Sequence, residues 1–151
     1  MERLSHVAAD GTAQMVDVSG KPVSVREATA AGRISVSAET LALISENKIA
    51  KGNVFATARL AGIQAAKQTS SLIPLCHNLN LTHVEIEIVA ADEAVEVTCT
   101  ARTAAQTGVE METLIGVSVT LLTIYDMCKA VDREMKVSDI RLLKKTKTAV
   151  E

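Results

Sequence analysis

The chain has 151 residues, 48% of them hydrophobic and 23% charged, with 16 Lys and Arg against 18 Asp and Glu. That length makes one globular domain that can bury a core without metal or disulfide staples. The near-balance of charge gives no chain-wide field to attract a nucleic-acid backbone. Tyr125 and Phe55 are its only aromatic residues, so the stacking platforms of single-strand binders are missing and the core must be aliphatic.

Residues 1–22 are polar, with Gly11, Gly20 and Pro22 as punctuation, and read as a flexible N-terminal arm ordered by a partner subunit. Residues 23–151 form the single folded domain. Val23, Val25, Ile34 and Val36 mark a β-branched strand over 23–36, bulged near Gly32. Ser37 precedes Glu39, Thr40 and the run LALI, which predicts a helix starting there and fading at 46–47. Asn53 caps a second helix, VFATARLAGIQAAK, in which Gly62 signals close backbone packing. The connector QTSSLIPLCHNLN contains Pro74, which ends any helix before it. Val84, Ile86 and Ile88 alternate with Glu85 and Glu87, and Val95, Val97 and Cys99 repeat the pattern after AADEA, giving a β-hairpin. Beyond Gly108, residues 112–131 read as a helix so apolar along its middle that it must be buried on more than one side. A last strand over 136–143 precedes the basic tail KKTKTAVE. Strand, helices, strand, strand, helix, strand is the order of a ferredoxin-like α+β fold, an antiparallel sheet with helices packed on one face.

Cys76, Cys99 and Cys128 are odd in number and set among apolar residues, unlike a secreted disulfide framework. Reduced thiols and a cytoplasmic location are expected. MERLSHVAADG has no apolar signal core, and Ser118, Thr120 and Thr123 interrupt the longest apolar stretch, so neither signal peptide nor membrane span is expected. A mean hydropathy of +0.21 is high for a small chain with much surface to cover, which predicts a homo-oligomer.

Asp126 and Lys129 interrupt the apolar run three residues apart, on one helix face. Buried, such a pair is either a structural ion pair or a lysine of lowered pKa oriented by a carboxylate for proton transfer. Glu110 and Glu112 fall in a first turn, where acids ordinarily answer the helix dipole. Glu112 and Asp126 share a face but stand about 21 Å apart along the axis, so one small-molecule pocket using both must be shared between subunits. Cys76 and His77 follow a proline-fixed turn. Without CxxC or HxxxH spacing, Cys76, His77, His83, Cys99 and Cys128 would converge only by chance, and no metal site is expected. Cys76 has no basic sequence neighbour except His77 to activate it as a nucleophile. Lys51 precedes a helix N-terminus, a geometry that cradles phosphate, but no Walker motif is present and the residue taken alone reads first as a solvated lysine. Lys144, Lys145 and Lys147 read as a solvated end that can also close over an anion.

Together, MVDVS at 15–19, KGNVFATARLAGIQAAK at 51–67, LIPLCH at 72–77, TGVEMETL at 107–114 and LTIYDMCKAVD at 122–132 resemble the cyclic pyranopterin monophosphate synthase family of molybdenum-cofactor biosynthesis. The resemblance spans nearly the whole chain. It implies a ferredoxin-like subunit in a homohexamer, a trimer of dimers with the active site at the dimer interface. It implies conversion of 3′,8-cyclo-7,8-dihydro-GTP, made upstream by a radical S-adenosylmethionine GTP cyclase, into cyclic pyranopterin monophosphate and pyrophosphate. Such a rearrangement needs proton transfers and no redox cofactor; magnesium can accompany the triphosphate. By position, Lys51 and Lys129 resemble the catalytic lysines and Asp126 their acid. Leu75, Cys76, His77, Glu110, Met111 and Glu112 resemble the substrate-binding set, and Arg26, Lys145 and Asp17 line the same pocket, the cations suiting the triphosphate. Asn53 and Asn78 stand where the family often has Asp and Pro, and KKTKTAVE replaces a glycine-rich basic tail.

Two other readings share this fold. A regulatory ligand-binding module would lack proton-transfer partners in its pocket. A nucleic-acid-binding domain is disfavoured by the missing sheet aromatics. Neither nucleic acid nor membrane is an expected partner.

Overall fold

The computed structural model describes residues 6–150. Its elements run β1 (Ser24–Ser35), α1 (Ala38–Ser45), α2 (Val54–Lys67), α3 (Thr69–Leu72), β2 (Leu81–Ala91), β3 (Ala94–Ala105), α4 (Glu110–Cys128) and β4 (Lys136–Ala149). The four strands pair antiparallel in the order β2-β3-β1-β4. α2 and α4 pack side by side on one face of this sheet, as the ferredoxin-like reading requires.

Local side-chain chemistry starts two of the helices. The Ser37 hydroxyl accepts from Thr40 N–H at 3.1 Å, and the Asn53 side chain accepts from Ala56 N–H at 2.9 Å, each satisfying an orphan donor of a first turn. Period-two alternation then sorts β3. Val95, Val97, Cys99, Ala101 and Thr103 are buried against the helices, while Glu96, Arg102 and Ala104 are exposed on the other face. β1 is built of small residues where α4 crosses it, and its register against β4 shifts around Gly32, the expected bulge.

The α2–α4 contact depends on two glycines. A β-carbon at Gly62 would meet the Gly116 carbonyl oxygen at 2.9 Å and the Thr120 hydroxyl closer still. Backbone thus approaches backbone, as Gly62 signalled. The hydroxyls of Ser118, Thr120 and Thr123 each donate to the carbonyl four residues back, so they cost α4 no unpaired polar group.

Three expectations need correction. α4 starts two residues earlier than the predicted 112 and ends at Cys128 rather than 131, leaving Lys129 as its C-cap. As expected, the helix is buried on more than one side, the sheet-facing and the α2-facing, while Leu122 and Tyr125 lie on an exposed side. Thr69–Leu72 forms a short helical turn inside the connector. The basic tail is no tail: β4 continues through it to Ala149, paired with β1. Lysines on an edge strand keep their side chains in water while the backbone makes the ladder, which hides the strand from an apolar pattern. By length and composition α4 is also apolar enough to cross a membrane, yet half of that stretch is buried in the protein as its core helix.

Candidate active site

The candidate residues gather at the two ends of α4. At its first turn a cavity of about 390 Å³ lies between the connector (Leu75, Cys76, His77), the turn itself (Glu110, Met111, Glu112) and the arm (Val16, Val18, Lys21). That volume falls in the range of small-molecule sites. His77 fixes the arm to the connector: its Nε2 meets the Val16 carbonyl at 2.6 Å, and because a carbonyl only accepts, Nε2 carries the proton. Asp17, the next residue, is held by the Ser19 N–H and hydroxyl at 2.9 and 2.6 Å, and these bonds, with His77 nearby, lower its pKa.

Glu112 is only 4% exposed. Burial pushes its carboxyl above the usual range, and the neighbouring Glu110 pushes the same way. Cys76 is also raised, by burial and by Glu112, so it stays a thiol and is no activated nucleophile. The three thiols are free, with burial lifting Cys99 to about 12 and Cys128 to about 11. Among the described residues no three His, Cys, Asp or Glu side chains converge as metal ligands.

A second cavity, of about 280 Å³, adjoins the first through Gly108 and Glu110 and is lined by Arg26, Lys145 and Lys147. Strand pairing creates this cationic wall, because Arg26 of β1 stands opposite Lys147 of β4 and Ala28 opposite Lys145. Lys145 Nζ donates to Glu110 Oε1 at 3.0 Å, and Arg26 donates to the Gln106 carbonyl at 3.1 Å.

At the far end of α4, Asp126 stands between two lysines. Lys129 Nζ lies 2.8 Å from its Oδ1, and Lys51 Nζ lies 2.9 Å from its Oδ2 and 2.8 Å from its backbone carbonyl oxygen. Gly52, at φ +104°, turns the chain so that Lys51 leaves the α2 cap and reaches α4. A cation there also meets the negative pole of the helix. The burial expected for this pair is corrected: within the protomer the Lys51, Asp126 and Lys129 side chains are 46%, 56% and 55% exposed. The lowered lysine pKa is corrected with it. Asp126 raises Lys129, and the two lysines bring Asp126 down to about 2. Asp126 and Lys129 sit on the last turn and cap of α4, on the face that α2 and the sheet leave exposed.

Leu75, Cys76, His77, Glu110, Met111 and Glu112 therefore share one cavity, Arg26 and Lys145 share its neighbour, and Asp17 stands beside the first. Lys51, Asp126 and Lys129 are together, at the other end of the helix. Sequence reasoning missed Lys21, Leu79, Thr107 and Gly108 as lining residues. Thr107 and Gly108 lie inside the TGVEMETL block, whereas nothing in its own segment marks Lys21.

Residues 15–148 match the model of the MoaC family. The chain is 55% identical to "Cyclic pyranopterin monophosphate synthase" of Parvibaculum lavamentivorans over 96% of its length and 92% of that protein. It is 54% identical to the protein of the same name from Chloroflexus aurantiacus, over 94% and 88%. A "Molybdenum cofactor biosynthesis bifunctional protein" of Chlorobaculum tepidum is 54% identical over 94% of this chain and 46% of its own length. The blocks that line the cavities and the cluster that closes α4 fall inside the matched residues, and this chain belongs to the MoaC family.

Proposed function

We infer that the protein is a cyclic pyranopterin monophosphate synthase, a lyase of molybdenum cofactor biosynthesis that converts 3′,8-cyclo-7,8-dihydro-GTP into cyclic pyranopterin monophosphate and pyrophosphate. The observation that carries this reading is the cationic cavity of Arg26 and Lys145, joined through Glu110 to a larger cavity holding a buried carboxyl. The first suits a triphosphate, and the second suits the N–H-rich ring system attached to it.

Ring opening, pterin closure and cyclic phosphate formation move protons without net redox change. In this scheme Lys129 enters as an ammonium that donates, Lys51 acts with it, and Asp126 holds both in place and accepts. Glu112, its pKa raised, delivers or takes a proton at the ring, and His77 offers Nδ1 while Nε2 holds the arm. No cofactor is required, and magnesium enters only with the triphosphate.

The assembly proposed is a homohexamer of dimers with each site between two chains. Two features support it. The halves of the site lie about 21 Å apart on one helix. Leu122 and Tyr125 on α4, with Ile140, Leu142 and Leu143 on the edge strand β4, are exposed large apolar side chains. A GTP cyclase of the radical type supplies the substrate, in the cytoplasm.

The test is direct. Cyclised dihydro-GTP added to the folded protein should yield a pterin and pyrophosphate; a folded oligomer without turnover would remove the enzyme and leave a binding module on the same fold.

A further inference from the structure

The two cavities at the start of α4 share a wall made by Gly108 and Glu110. The Glu110 carboxylate folds back over Gly108. A β-carbon there would stand 2.8 Å from Glu110 Cδ and closer to Oε2, so this posture exists only because residue 108 has no side chain. In it, Oε1 accepts from Lys145 at 3.0 Å. Glu27, the other acid on the small cavity, is already held by Arg102 and Lys144. Arg26, on the same wall, keeps its Nε buried with no hydrogen-bond partner, an unmet demand for an acceptor.

We propose that Glu110 is a latch: in the empty protein its carboxylate occupies the place of a substrate phosphate on Lys145, and an entering phosphate displaces it into the larger cavity beside Glu112. The proposal rests on the reading that the substrate carries a triphosphate. An exposed carboxylate–lysine pair is weak, and a polyanion offering several oxygens to Lys145 and Arg26 outcompetes it. Phosphate recognition then comes first and releases an acid to the ring end of the substrate. A ligand of the same ring system without phosphates leaves the latch closed, which makes Glu110 a specificity-determining residue.

Inorganic pyrophosphate is the probe, titrated calorimetrically into the assembled protein. Glu110→Gln removes the carboxylate charge, and Gly108→Ala moves the carboxylate aside with its charge intact. Both should bind pyrophosphate about fivefold tighter than wild type, the ceiling set by an exposed ion pair, and the gain from Glu110→Gln should vanish in a Lys145→Met background. If Gly108→Ala does not fold, the Glu110→Gln and Lys145→Met cycle decides alone. Tightening by Glu110→Gln but not by folded Gly108→Ala, a gain that survives without Lys145, or no pyrophosphate binding by wild type would each overturn the latch. Binding is read without turnover, so the two ideas fail separately. A protein with this pattern that leaves cyclised dihydro-GTP unchanged keeps the latch and loses the reaction; turnover without the pattern does the reverse.

Discussion

α4 carries a carboxylate near each end, and its surroundings hold the two in opposite states. Glu112, under the connector, is buried and pushed toward protonation; Asp126, on the far turn, is half-exposed between two lysines and held at about 2. Residue type decides neither state. Desolvation with a like charge governs one end, and ion pairing governs the other. One end is suited to enclosing a ligand and keeping a proton, and the other to presenting charged donors to a ligand enclosed elsewhere.

The strongest way to break this comparison is to remove the lysines. Lys51→Ala and Lys129→Ala should each lower turnover by about 10²- to 10⁴-fold while leaving assembly intact, read by pyrophosphate release and gel filtration. Normal turnover in both would strip the far end of its catalytic role. Next in size is Gly62→Ala, which drives a β-carbon into the Gly116 carbonyl and the Thr120 hydroxyl and should cost about 1–3 kcal/mol in urea unfolding. A smaller loss, about 1 kcal/mol, is expected from Asn53→Ala, which uncaps α2 beside Lys51. It should impair turnover while leaving pyrophosphate binding at the near end as in wild type.

Smallest in its effect on stability, and dependent on pH, is Glu112→Gln. A carboxyl whose folded pKa is raised favours folding below its unfolded value of 4.5, and loses that contribution as pH rises through the folded value. The variant should therefore gain in thermal midpoint over wild type as pH rises from 4.5 through the folded value and hold that gain above it, while losing activity. Asp126 has the opposite sign: its lowered pKa contributes stability above 3.8 that is lost only as pH falls toward 2. Mild acid should leave the far cluster paired. An equal thermal gain for Glu112→Gln at every pH would contradict the assigned state of that residue.

What was legible in the sequence was what local chemistry decides. Ser37 and Asn53 announce their helices because a cap bonds within three residues, and Gly62 announces a close crossing because little else explains glycine amid helix formers. Illegible were the features set by distant partners. Lys51 by itself reads as a solvated lysine or a phosphate cradle for α2, but its ammonium is claimed by Asp126, 75 residues on. The apolar run of α4 suggests a buried ion pair, whereas Asp126 and Lys129 fall on the face that also exposes Leu122 and Tyr125, while Met127 and Cys128 of the same turn are buried. β4 past Leu143 was invisible because its pattern is backbone pairing with β1 under charged side chains. The cavity residues were gathered by the family resemblance; Lys21 and the wall at Gly108 became visible only with the arm and connector in place.

The central claim is that a working site takes the near end of α4 from one chain and the far end from another. Co-refolding Glu112→Gln with Lys129→Ala tests it. Random pairing places one intact site in each mixed dimer, so turnover should recover to about a quarter of wild type, far above either parent. Activity no greater than that of the two parents measured separately would contradict the account.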